Sequence, residues 1–130
     1  MEDTFTESLV QLILGLKYKR LSVAAIDPGK KAILDCLGVA VAGCREAPSK
    51  IVSDFVKDSG RPEAGVIGAG IKTPADQAAW ANGTTAHALD YDDYFVPEHL
   101  TPYHPTVSLL PAVLAVAQKS GLPGKDVFLA

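Results

Sequence analysis

The chain has 130 residues, enough for one domain that buries roughly two-thirds of its unfolded surface. With 48% hydrophobic and 21% charged residues and a mean hydropathy of +0.16, it lies at the apolar end for a globular protein, so part of its exterior is expected to be covered. The net charge of −3 and the lack of a basic run beyond Lys17-Tyr18-Lys19-Arg20 argue against nucleic acid as a partner. The longest apolar run, Leu34 to Ala42, is broken by Asp35 and Gly38 and is too short to span a membrane. Acidic Met1-Glu2-Asp3 lacks the basic start of a secretory signal. Cys36 and Cys44 fit no metal or redox spacing and would lie two turns apart on one helix, too far for a disulfide. They read as buried free thiols, as in a reducing cytoplasm.

Thr4-Phe5-Thr6-Glu7 forms a capping box, and Phe5, Leu9, Leu12, Ile13 and Leu16 follow on one helical face. Asp27-Pro28 is expected to open a second helix, with Asp as N-cap and Pro in the first position. Its buried stripe would be Ala32, Ile33, Leu37, Ala40 and Val41, with Gly43 as the stop. Gly38 within it suggests close approach of a neighbouring helix. A third helix runs from Ser49 to Ser59, with Ile51, Val52, Phe55 and Val56 facing inward. Residues 61–70 read as a loop with one short extended piece. Gly65, Gly68 and Gly70 do not have the GxGxxG spacing of a phosphate-binding turn.

Thr73-Pro74-Ala75-Asp76 starts a fourth helix, capped by Thr73, in which small residues allow close packing and Trp80 is the bulky anchor. Asn82-Gly83 ends that helix or bends it into a short one over Thr84 to Leu89. Tyr94 to Tyr103, with Pro97 and Pro102, is an ordered loop. Pro105 opens the next helix, which stops at Gly121 and should kink at Pro111 unless that residue falls in the first turns. Leu122 to Asp126 restarts a helix that breaks off at Ala130, so the sequence reads as cut short. The fold class is all-α.

The chemistry is concentrated in Asn82-Gly83-Thr84-Thr85-Ala86-His87-Ala88-Leu89-Asp90-Tyr91-Asp92-Asp93. His87 and Asp90 share a helical face. Asp92 and Asp93 point elsewhere on a regular helix, although a helix ending near Asp90 would let the loop turn one of them back as a cap. The residues alone leave two readings open: a capped and solvated loop, or a site in which neighbours tune carboxylates and imidazoles for acid/base work. His87, Asp90, His99 and His104 could also be metal donors, but HExxH is absent and the acidic run lacks the Gly and distal Glu of a calcium loop. Nor are the carboxylates a full helical turn apart, as a magnesium–diphosphate site would want. His104 precedes Pro105, which pushes it into an extended conformation at the mouth of a helix N-terminus, a place that favours anions and the neutral imidazole.

Ala81-Asn82-Gly83, Ala86 to Asp93, His104-Pro105 and Leu110-Pro111-Ala112-Val113-Leu114-Ala115, in that order, resemble the MmgE/PrpD family, which includes 2-methylcitrate dehydratase and cis-aconitate decarboxylase. Leu34 to Gly43 and the Val66-Ile67-Gly68 turn are similar to its N-terminal region. The resemblance implies residues 1–130 of a large helical domain, with a second, α/β domain absent from this chain. It implies a lyase working without metal or other cofactor on a small di- or tricarboxylate, by dehydration or decarboxylation. It also implies a cytoplasmic or mitochondrial homodimer, with no nucleic-acid or membrane partner. Asp90 and His104 would be catalytic; Asn82, His87 and Tyr94 would contact substrate; Asp92 and Asp93 would be mainly structural. Tyr94 stands where the family often has a small hydroxyl residue, and the Asp93–His104 connection is several residues longer than usual, so substrate identity is the expected point of divergence. The piece alone is expected to be inactive and to expose apolar surface. Two other classes compete: a non-catalytic helical interaction module, and a metal-dependent hydrolase built on His87, Asp90 and His104.

Overall fold

A computed structural model describes residues 4–98 and 101–130. Met1-Glu2-Asp3 and His99 lie outside the described residues. The chain is mostly helical, as expected, with one small hairpin in the segment that reads as a loop. Helix α1 spans Phe5–Gly15, and its capping box is formed: Thr4 Oγ1 accepts from the Glu7 amide, and the Glu7 carboxylate accepts from the Thr4 amide at 2.7 Å. Those bonds to Thr4 hold the Glu7 carboxyl below its ordinary range. The apolar face of α1 is not buried; Phe5, Leu9, Leu12 and Ile13 are all exposed.

After a turn of 3-10 helix at Tyr18–Arg20, α2 runs over Val23–Gly43. Asp27-Pro28 does not open it. Ser22 does, its Oγ accepting from the Ala25 amide at 3.2 Å. Pro28 lies in the second turn, where one lost donor affects only the exposed start of the helix. The buried stripe is Cys36, Val39, Ala40 and Gly43, whereas Val41 faces outward. Gly38 has open space where a Cβ would be; the close approach is at Gly43, against the backbone oxygen of Thr85.

Helix α3 covers Ala47–Val56, tied to α2 by Ser49 Oγ donating to the Gly43 carbonyl at 2.7 Å. Only Val52 and Val56 of its four predicted inward residues are buried; Ile51 and Phe55 are exposed. Strands β1, Ala64–Val66, and β2, Ile71–Thr73, pair antiparallel with Val66 opposite Ile71. Gly68, at φ +75°, turns the hairpin, and the Cys44 side chain fills the place its Cβ would take.

Helix α4, Ala75–His87, runs unbroken through Asn82-Gly83. Thr73 does not cap it. Glu63 does so from twelve residues back, Oε2 accepting from the Ala75 amide at 3.1 Å. This bond, and then Lys119 at 3.1 Å, holds the Glu63 carboxyl below its ordinary range. Helix α5, Pro105–Ser120, keeps Pro111 inside it and ends at Gly121, φ +64°. Helix α6, Gly124–Leu129, follows.

Helix α4 is the hub, packing on α2, α3, α5 and the hairpin. Its alanines let the neighbours close in. Ala75, Ala78 and Ala81 meet Val52, Val56, Ala64, Val66 and Ala115 on one side; Ala86 meets Cys36, Ala40 and Leu110 on the other. Trp80 is no anchor; it is half exposed, with its ring edge-on to Phe55 at 5.5 Å. Both cysteines are free, Cys36 buried and Cys44 partly so. No described helix is long and apolar enough to cross a membrane.

Candidate active site

Helix α4 stops at His87 because the chain then turns sharply. Asp90 has φ +51°, the only non-glycine residue at positive φ among those described, in a region that Asp tolerates better than most side chains. The turn reverses the chain so that Asp92 and Asp93 come back toward the start of α5. Asp93 then clamps that start, Oδ1 accepting from the Thr106 amide at 3.2 Å and Oδ2 from its hydroxyl at 2.6 Å. His104, the N-cap residue of α5, has no capping bond of its own and is extended at φ −103°, ψ +95°, as the following proline dictates. Its carbonyl accepts from Ser108 Oγ at 2.6 Å.

These constraints bring four groups together. His87 Nδ1 lies 2.9 Å from Asp92 Oδ1, His104 Nδ1 lies 3.0 Å from Asp92 Oδ2, and His104 Nε2 lies 3.7 Å from Asp90 Oδ1. The imidazoles meet edge to face at 4.7 Å, and Tyr94 leans over His104 with ring centres 5.1 Å apart. Exposure grades across the cluster. The Asp92 side chain is 0% exposed, His104 23%, His87 50% and Asp90 80%. Cys36 is buried with Ala40, Ala86 and Leu110, within reach of the site's charges. Burial, then the negative charges of Asp93, Asp92 and Asp35, push its thiol up to about 11.

The structure thus places Asp90, His104, His87 and Tyr94 side by side. It places Asn82 elsewhere. That side chain is buried and faces the hairpin, Oδ1 accepting from the Ile67 amide at 2.8 Å and Nδ2 donating to the Gly65 carbonyl at 2.9 Å. It holds β1 against α4, which leaves substrate contact without geometric support. Asp93 is the cap that a returning loop allows. Asp92 is the residue that periodicity misses: a regular helix points it away, and only the left-handed turn at Asp90 brings it between the rings.

One donor atom from each of His87, Asp90, Asp92 and His104 falls within 4.8 Å of the others. By distance alone these could close on a divalent cation. Two of the three short approaches run from an imidazole nitrogen to Asp92, an arrangement that equally suits a shared proton. An apolar groove of about 290 Å³ between α2, α5 and α6, lined by Ile33, Leu109, Val127 and Phe128 among others, reaches Pro105 and Thr106 beside the site but carries no titratable side chain.

A helical domain that gathers two imidazoles and two carboxylates at the junction of α4 and α5 has the groups for acid/base chemistry. This chain belongs to the MmgE/PrpD family, whose N-terminal domain matches residues 7–130. It is similar to cis-aconitate decarboxylase of Homo sapiens, 33% identical over 120 residues, covering 91% of this chain and 24% of that protein. It is 32% identical to cis-aconitate decarboxylase of Mus musculus over 127 residues, with the same shares covered. The chain therefore spans about a quarter of the length of the curated relatives it matches.

Proposed function

We propose that the full-length protein is a metal-free lyase that removes water or carbon dioxide from a small di- or tricarboxylate, with His104 as the proton-transfer group. The observation that carries this reading is the approach of His104 Nε2 to Asp90 Oδ1, 3.7 Å, on the open side of the cluster at the N-terminus of α5. Dehydration requires a base for the proton on the carbon α to a carboxylate and an acid to send the neighbouring hydroxyl off as water; decarboxylation requires an acid to protonate the carbanion left once carbon dioxide has gone. An imidazole beside a carboxylate can do either: the neutral ring takes a proton at Nε2, and the protonated ring returns one from there. Asp90 faces Nε2 and stabilises the proton once the ring has taken it. His87 and Tyr94 border the same opening and shape the substrate's approach. The helix N-terminus favours an anionic group next to His104.

The cationic groups that would neutralise the substrate's carboxylates are expected from the longer protein, as are the α/β domain, the homodimer and the cytoplasmic or mitochondrial setting. The 130 residues alone are expected to be inactive. His104→Ala in the full-length protein should reduce turnover of cis-aconitate or 2-methylcitrate by about 10²–10⁴-fold with little loss of stability. Retained turnover would remove His104 from the mechanism. A second reading, metal-assisted chemistry on the same residues, is favoured by the donor spacing within 4.8 Å. Metal analysis of active protein purified without chelators separates the two, since the first expects full activity with no stoichiometric ion.

A further inference from the structure

We propose that Asp92 is the positioning residue for His104. Its buried carboxylate accepts the Nδ1–H of that ring, fixes the tautomer and leaves Nε2 as the basic nitrogen, while His87 occupies the carboxylate's other oxygen. This deepens the reading of the site as a proton-transfer centre and rests on it.

Asp92 Oδ2 and His104 Nδ1 are both sealed from solvent, and neither has a well-aligned hydrogen-bond partner. Buried polar atoms are rarely left unpaired, because each loses water and gains nothing in return. These two lie 3.0 Å apart. The distance is already that of a hydrogen bond and only alignment is missing; catalytic hydrogen bonds commonly tighten when substrate loads. The proton must then be on Nδ1. A bare Nδ1 would aim its lone pair at a carboxylate oxygen with water excluded, which repels. Nε2 is left free on the side facing Asp90, at 3.7 Å, where the site is open.

The other oxygen of Asp92 meets His87 Nδ1 at 2.9 Å, so one carboxylate serves two rings and cannot rotate away from either. The backbone holds it there from both sides: the left-handed residue Asp90 precedes it, and Asp93 is bound twice to Thr106 after it. An orienting carboxylate behind a catalytic imidazole acts through tautomer and ring angle without touching substrate.

The test uses the full-length protein with Asp92→Asn, a change of nearly identical shape, beside His87→Gln and a His104→Ala control. An amide offers one acceptor where the carboxylate offers two, so it cannot satisfy both imidazole N–H groups. Asp92→Asn should lower kcat by about 10²-fold or more while KM changes by less than about threefold. His87→Gln, which still offers a donor to Asp92, should lower kcat by less than about tenfold. Nitrogen-15 spectra of histidine-labelled wild-type protein should show His104 protonated on Nδ1, and Asp92→Asn should abolish that preference. A kcat unchanged in Asp92→Asn, or a wild-type His104 protonated on Nε2, would overturn the proposal. If Asp92→Asn does not fold, the wild-type spectrum alone decides it. An inactive His104→Ala beside a fully active Asp92→Asn rejects the role of Asp92 only. An active His104→Ala rejects the reading of the site as well.

Discussion

Asn82→Ala would remove both hydrogen bonds by which α4 holds the hairpin. Asn82 is 4% exposed, and its amide pairs with the Ile67 N–H at 2.8 Å and the Gly65 carbonyl at 2.9 Å. Each backbone group left shielded and unpaired costs about 1–3 kcal/mol, which sums to roughly 2–6 kcal/mol. A void of about 10 Å³ already borders Asn82; enlarged by the lost amide it can admit a water molecule and recover part of that sum. The expected loss is therefore in the lower half of the range, about 2–4 kcal/mol. Urea unfolding of the full-length protein should show it as a lower midpoint at unchanged slope for the transition that reports this domain. The folded variant should keep kcat and KM within about twofold. An unchanged midpoint with KM raised about tenfold or more would refute the reasoning and put the Asn82 amide on the substrate after all.

Gly43→Ala would set a Cβ 2.5 Å from the backbone oxygen of Thr85. The obstacle is backbone and not a flexible side chain, so α2 must lift from α4, at a cost of about 1–3 kcal/mol. Gly38→Ala is the control: nothing lies within 4 Å of that Cβ, and removing a mid-helix glycine should stabilise by about 0.5–1 kcal/mol. Equal midpoints for the two variants would contradict the packing. Cys36, with its thiol pushed up to about 11 from an ordinary 9.0, should resist iodoacetamide at pH 8 until denaturant is added. The folded state holds this proton more tightly than the unfolded chain. Its contribution to stability is therefore complete below about pH 9 and falls as pH rises toward 11. Cys36→Ala should flatten that slope, and rapid alkylation of native protein at Cys36 would contradict the burial.

What local chemistry decides was readable from the chain. The Thr4–Glu7 capping box, the extended His104 ahead of Pro105 and the stop at Gly121 each depend on neighbours within a few residues. The same holds for the ordered motif that carries the family resemblance, and family membership follows from it. Helix starts were less secure. Ser22 displaced Asp27-Pro28 because a single proline in an early turn removes only one donor, and Glu63 capped α4 because its backbone bond to Thr73 across the hairpin sets it beside the helix start.

Tertiary structure alone decided which apolar residues are core. Helical periodicity marks a face but not its width, so Ile51, Phe55, Val41 and Trp80 share a stripe with buried neighbours and still face outward. It also decided the arrangement of the site. Asp90 and His104 could be paired from the sequence by resemblance, but the buried place of Asp92 between two imidazoles could not be read from spacing. That place depends on a left-handed turn at Asp90 and on the clamp of Asp93 to Thr106 thirteen residues away. Periodicity carries no information about a residue once the helix has ended, and the geometry of the return loop is set by what α4 and α5 leave room for.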